Sequence, residues 1–245
     1  YFEGKKELFE GLAIEKMETE WKKFPILHLD LNAKKYETPA DLIAMLNQTL
    51  EKWEVVYGNV KKDRSPEERF TYVIERAYEQ AGCGVVVLVD EYDKPLLQAL
   101  DNDTLLEDYR KTLKAFYGVL KSADRYLRFV FLTGVTKFSQ VSAFGDLNQL
   151  NDISLDYSYA TVCGITRTEL AETFTPEIEE FGRVNKLSAE ETVDKMARQY
   201  DGYHFHPKGD GVFNPFSVLN ACKSKILDNF WFQTGTPTYL VNLLK

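Results

Sequence analysis

Residues 85–93 read Val-Val-Val-Leu-Val-Asp-Glu-Tyr-Asp, an apolar run that stops at three carboxylates within four positions. Five β-branched or aliphatic residues without polar alternation predict a strand buried on both faces, the kind found in a parallel sheet covered by helices. The acids then fall at the carboxyl end of that strand, where open α/β sheets take their ligands. An Asp in such a position can hold Mg²⁺ through its water shell, and a Glu that follows it can orient or deprotonate an attacking water. The competing reading is structural, because acids after a strand also cap the helix that comes next.

The flanking pattern supports a parallel sheet. A short apolar run at 26–32 follows Phe24-Pro25 and reads as an earlier strand. Thr38-Pro39 opens a helix whose Leu42, Leu46, Leu50, Trp53 and Tyr57 share a face, and Gly58 closes it. Ser65-Pro66-Glu67-Glu68 is a capping box with proline in the first turn. The helix it starts carries Phe70, Val73, Ile74, Ala77, Tyr78 and Ala81, and Gly82 and Gly84 end it before the Val85 strand. A further helix over 104–123 presents Leu106, Tyr109, Leu113, Phe116, Tyr117 and Leu120. The next strand, over 127–133, terminates in Thr133-Gly134. Strands alternating with helices give right-handed crossovers and helices over both faces of the sheet.

Beyond Val141 the texture changes to Asn, Asp, Ser and Tyr, with a short strand expected at 160–163. Two short helices follow. Leu170, Phe174, Ile178 and Phe181 line one, and the capping box Ser188-Ala189-Glu190-Glu191 opens the other. Aromatic stretches at 200–205 and 212–217, separated by Gly209-Asp210-Gly211, read as a β-hairpin. A helix is expected over 215–228, and a turn at 231–237 leads into a last helix. The expected division is 1–165 and 166–245.

Composition narrows the functional classes. A formal net charge of −8 argues against nucleic-acid binding by the surface as a whole. No stretch approaches the roughly 18 apolar residues of a membrane span, and the opening residues match no export signal, so a cytoplasmic location is expected. Cys83, Cys163 and Cys222 are too far apart in sequence for a C-x-x-C zinc site.

Several strings, taken in order, are similar to the AAA-ATPase-like family of bacterial and archaeal P-loop NTPases, often found ahead of a PD-(D/E)XK nuclease-like domain. They are Tyr1-Phe2-Glu3-Gly4 with 8–12, Val89-Asp90-Glu91-Tyr92-Asp93-Lys94-Pro95, and Phe131-Leu132-Thr133-Gly134-Val135-Thr136-Lys137-Phe138-Ser139. Strings at 147–155, Tyr200-Asp201-Gly202-Tyr203, Phe213-Asn214-Pro215-Phe216-Ser217 and 231–237 continue the match. The resemblance implies a three-layer P-loop NTPase core with an additional strand (ASCE/AAA-like), a parallel sheet, a helical lid and a small winged-helix-like region. It also implies ATP and Mg²⁺ as ligands. The sequence contains no G-x-x-x-x-G-K-[ST] string. The expectation is that the chain begins partway through the helix after that loop, and that alone it turns over no ATP.

By this resemblance Asp90-Glu91 is a Walker B pair. Asp90 binds the cofactor by holding Mg²⁺, Glu91 polarises the lytic water, and Thr133 occupies a sensor-1 position that reads the γ-phosphate. Each has a plain counterpart: for Thr133, a hydroxyl satisfying a strand-end backbone group. Asp93 is expected to cap the turn at Lys94-Pro95, and Lys137 to be solvated. His204 and His206 alternate on the hairpin but lack a third metal ligand at usable spacing. Asp101-Asn102-Asp103 reads as a turn and helix cap rather than a calcium loop. The aromatics at 200–216 read as packing rather than base-stacking residues.

The readings that follow are an Mg²⁺-dependent ATPase that drives a conformational switch, and a non-hydrolysing regulatory or scaffold module for a nuclease-like partner domain. Assembly into homo-oligomers is compatible with either. A third reading makes Asp90, Glu91 and Asp93 a metal-dependent nuclease or phosphatase site, with Asp30 as its additional acid.

Overall fold

The computed structural model describes residues 1–58, 64–135 and 150–230. The chain forms two compact units, Tyr1–Leu150 and Asn151–Lys245.

The first unit is built on a parallel three-stranded sheet in the order β1-β2-β3, with β1 Ile26–Asp30, β2 Val85–Asp90 and β3 Leu127–Leu132. A short helix α1 (Ala13–Met17) precedes the sheet. Helices α2 (Pro39–Tyr57) and α3 (Pro66–Ala81) connect β1 to β2, and α4 (Lys94–Gln98) and α5 (Asp103–Ser122) connect β2 to β3. The starts of α2, α3 and α5 follow the local chemistry read from the sequence. Asp41 accepts from Thr38 N–H at 2.8 Å, with Pro39 in the first turn of α2. Ser65 and Glu68 exchange reciprocal bonds at the start of α3, which ends at a left-handed Gly82. Asn102 caps α5 through Leu105 N–H at 3.1 Å and Asp103 lies in its first turn, so the 101–103 string marks a helix start.

Register explains where the core sits. Leu27, Val87 and Val130 align across the sheet, as do Leu29, Val89 and Leu132, and these side chains join the core with α2, α3 and α5. Phe70 and Phe116 stack at 4.5 Å in its middle, with Trp53 against Phe70 at 5.5 Å. Burying each ring contributes about 1.5–3 kcal/mol. A bidentate ion pair spans the same two helices: Arg69 donates to Glu54 at 2.7 and 2.8 Å and to Asn47 at 2.6 Å, with side chains only 7% and 5% exposed for Arg69 and Glu54.

The opposite face corrects one expectation. Helices were expected over both faces, but among the described residues the row His28, Leu88 and Phe131 is left largely open. Phe129 and Phe131 are 42% and 39% exposed, stack on each other at 6.1 Å, and are met by Phe2 at 5.3 Å from Phe129. β3 has β2 on one side, and among the described residues no strand pairs with its other edge.

The second unit holds a small antiparallel sheet, β4-β6-β5, made of β4 Ile165–Thr166, β5 Asp201–Tyr203 and β6 Val212–Phe213. Among the described residues four helices accompany it: α6 (Arg167–Thr173), α7 (Thr175–Asn185), α8 (Ala189–Tyr200) and α9 (Pro215–Ser224). Leu170, Ile178, Phe181, Met196, Tyr200 and Phe213 anchor its core. The hairpin and the Ser188 capping box form as read. The strand expected at 160–163 does not: those residues are turn, and the strand is Ile165–Thr166, whose existence depends on pairing with Val212 and Phe213. The helix expected to reach 228 ends at Ser224, where Lys225 takes a left-handed conformation. Among the described residues no helix is long and apolar enough to cross a membrane.

Candidate functional site

The carboxyl ends of β2 and β3 bring three of the sequence-predicted residues together. Asp90 is the last residue of β2 and its side chain is exposed. Thr133 follows β3 directly, where its N–H donates to Val89 O at 2.9 Å and its carbonyl accepts from Tyr92 N–H at 2.9 Å. Its hydroxyl donates to Asp90 Oδ1. The strand-end hydroxyl is therefore bonded to the candidate acid of the neighbouring strand, not to a backbone group.

Glu91 follows Asp90 with φ +55°, a left-handed backbone that costs a non-glycine residue about 1–2 kcal/mol. Strain of this kind persists where the surroundings fix it. Here Tyr92 N–H is held by Thr133, and Lys94 N–H donates to Glu91 O at 2.9 Å. Burial pushes the Glu91 carboxyl above the usual carboxylate range, Lys94 opposes this, and Asp93, Asp90 and Asp30 add to it. Glu91 is thus a partly buried carboxylate that holds its proton more tightly than usual, next in the chain to the exposed Asp90.

Asp93 departs from the expected cap. It makes no side-chain bond to the start of α4. It is fully buried, and both carboxylate oxygens accept from Val135 N–H, at 3.1 and 3.3 Å. Asp30, the last residue of β1, aligns with Asp90 but turns back to accept from Asn32 N–H at 2.8 Å. Among the described residues no three His, Cys, Asp or Glu side chains converge closely enough to hold a metal ion between them. Asp30, Asp90, Glu91 and Asp93 thus do not converge on one point in this arrangement. A single exposed carboxylate with one oxygen already bonded suits Mg²⁺, which keeps most of its waters and takes one or two carboxylates.

His204 is exposed beyond the end of β5, and His206 accepts from Lys208 N–H at 3.1 Å beside the Tyr157 ring, so the pair do not alternate along a strand. Tyr200 and Phe213 are core residues, whereas Tyr203 and Phe216 are 46% and 40% exposed. Lys137, the 136–139 and 147–149 strings and the 231–237 turn lie outside the described residues.

Sequence reasoning missed two parts of this arrangement, the Asp93 bond to Val135 and the close approach at Gly134. A Cβ on Gly134 would lie 2.5 Å from Tyr92 Cε1 and 2.6 Å from Asp93 Oδ1. The signal was a glycine straight after the strand-end threonine.

A family model described as "Predicted AAA-ATPase" matches residues 1–144. The chain is 35% identical over 243 residues to a protein of Azotobacter chroococcum mcd 1 described as "Uncharacterized protein in vnfD 5'region". That alignment covers 99% of this chain and 45% of the relative, so the chain spans about half the relative's length. No solved structure matches.

Proposed function

The chain belongs to the AAA-ATPase-like family, and from that premise we propose that it is the core of a module that binds and hydrolyses Mg²⁺-ATP at the carboxyl ends of β2 and β3. The observation that carries this reading is the Thr133 hydroxyl bonded to Asp90, with Glu91 held in a left-handed turn beside them. Two polar strand ends joined this way supply the groups that phosphoryl transfer needs around a metal and a water.

Mg²⁺ bound here would neutralise charge on the transferring phosphoryl group. Asp90 would hold the ion through its water shell. Glu91 takes the proton of the attacking water, and its raised pKa favours that role. Thr133, fixed by its backbone bonds to Val89 and Tyr92, would keep its hydroxyl on Asp90 beside the position of the γ-phosphate.

The phosphate-cradling loop is proposed to enter on a strand laid against the edge of β3 that no strand pairs among the described residues, beside Phe129 and Phe131. An unpaired apolar edge of that kind is normally covered in a native protein. The second unit, helices with a small hairpin, is read as lid and winged-helix-like region, and the intact protein as a cytoplasmic switch driven by hydrolysis. A nuclease-like domain or another protein is its proposed partner, and homo-oligomers its proposed assembly.

Equilibrium binding tests the site itself. The full-length protein carrying Glu91→Gln should bind ATP more tightly with Mg²⁺ than with a chelator, and Asp90→Asn should remove most of that difference. Mg²⁺-independent binding in both variants would count against Asp90 as the metal-holding residue.

A further inference from the structure

We propose that Asp93 is the positioning residue of this site: its buried carboxylate holds the turn after β3 and thereby sets the Thr133 hydroxyl on Asp90. This rests on the hydrolysis reading above. Asp93 lies on the β2 side and Val135 on the β3 side, 42 positions apart, so the bond between them is tertiary. A carboxylate with no exposed surface is costly unless it is bonded, and a charge-assisted bond from a backbone N–H is among the stronger ways to satisfy it.

Each residue of the 133–135 turn is tied to the end of β2 in its own way. Thr133 is held through both of its backbone groups, by Val89 O and Tyr92 N–H at 2.9 Å each. Gly134 lies so close to the Tyr92 ring and to Asp93 that no side chain fits there. Val135 is held by Asp93. Without the last tie, the turn could lift from Tyr92 and carry Thr133 with it. Tyr92 is itself buried and Tyr117 donates to its carbonyl at 3.4 Å, so the platform beneath the turn is fixed by the core. Full burial keeps the Asp93 carboxylate from the exposed surface where Asp90 would meet a hydrated ion, so it acts through Thr133 and touches no ligand. Catalytic groups need support of this order, because a displacement of about 1 Å can cost on the order of a hundredfold in rate.

The test uses the full-length protein with Asp93→Asn, Asp93→Ala, Thr133→Val and the Asp93→Ala/Thr133→Val pair. Two quantities are read: steady-state Mg²⁺-ATP turnover and amide exchange at Val135 by fragment-resolved mass spectrometry. Asp93→Ala should speed Val135 exchange at least about tenfold and lower kcat by roughly ten- to a hundredfold, with KM within about twofold. Asp93→Asn keeps one oxygen acceptor and should recover part of both effects. In the Thr133→Val background, Asp93→Ala should lower kcat no further. Unchanged Val135 exchange in a folded Asp93→Ala protein would overturn the proposal, as would losses that multiply in the double variant. If Asp93→Ala does not fold, Asp93→Asn carries the same comparisons. If the wild type turns over no ATP, the hydrolysis reading fails separately. The clamp is then decided by exchange: slow Val135 exchange that Asp93→Asn accelerates supports it, and fast exchange in the wild type overturns it.

Discussion

Two glycine-to-alanine changes in the first unit should move stability in opposite directions, because one site is crowded and the other open. At Gly134 the new Cβ would sit 2.5 Å from Tyr92 Cε1, 2.6 Å from Asp93 Oδ1 and 2.7 Å from Tyr92 Cδ1. Carbon contacts are comfortable at about 3.5–4.0 Å, so roughly 1 Å of space must be made. Tyr92 and Asp93 are 3% and 0% exposed and cannot swing into solvent. Either the core around Tyr92 is overpacked, at about 1–3 kcal/mol, or the turn lifts and Val135 leaves Asp93, losing a bond to a charged group worth about 1.5–3 kcal/mol. These are alternative relaxations and do not add, so the expected cost of Gly134→Ala is about 2 kcal/mol. For a domain of this size that lowers Tm by roughly 4–8 °C. Gly118, inside α5, has nothing within 4 Å of its added Cβ. Gly118→Ala should raise stability by about 0.5–1 kcal/mol, because alanine is the better helix former. Urea and thermal unfolding followed by circular dichroism, comparing wild type with each variant, measure both. A Gly134→Ala protein within about 0.5 kcal/mol of wild type, well inside the range of an unremarkable surface change, would refute the packing of this turn on Tyr92 and Asp93.

The Glu91 carboxyl is pushed up by burial in the folded state, so the folded protein holds its proton to higher pH than the unfolded chain does. Stability therefore falls as pH rises from the unfolded glutamate value, about 4.3, through the raised folded value, and it stays lower above. Glu91→Gln should accordingly be more stable than wild type at neutral pH and no more stable below about pH 4, read from denaturation midpoints at the two pH values; a gain that is equal at both would contradict the assignment. Glu54→Ala leaves Arg69 buried without its carboxylate, and a loss of about 3–5 kcal/mol is expected in chemical denaturation; a loss below about 1 kcal/mol, the range of an exposed pair, would show the pair to be solvated. The 245-residue chain by itself, having no phosphate-loop string, should release no phosphate from Mg²⁺-ATP above background, and turnover abolished by Glu91→Gln in that chain would contradict this.

Much of the first unit is legible in the sequence because its determinants are local. Ser65, Pro66 and Glu68 state a helix start within four residues, and Gly82 states the end through a conformation few other residues adopt. The Val85 run marks one strand, with its acids at the carboxyl end, and the string that ends at Thr133 marks the neighbouring one. What was not legible is pairwise. Nothing near Asp93 in sequence says that its partner is Val135, and local chemistry favoured a cap at Lys94-Pro95 instead. Likewise Ile165–Thr166 is too short to declare itself, and it is a strand because Val212–Phe213 lies beside it. The uninterrupted Val85 run predicted burial on both faces, and Val85, Val86, Val87 and Val89 are all buried; of its apolar residues only Leu88, which joins the open row with His28 and Phe131, is half-buried.

The most direct test of the account is steady-state Mg²⁺-ATP hydrolysis by the full-length protein, wild type against Glu91→Gln, with ATP binding measured alongside. The account predicts turnover in the wild type, a loss of about a hundredfold or more in the variant, the contribution of a general base, and ATP binding retained in both. A folded wild type that binds ATP without hydrolysing it, or a Glu91→Gln protein that turns over at the wild-type rate, would contradict it.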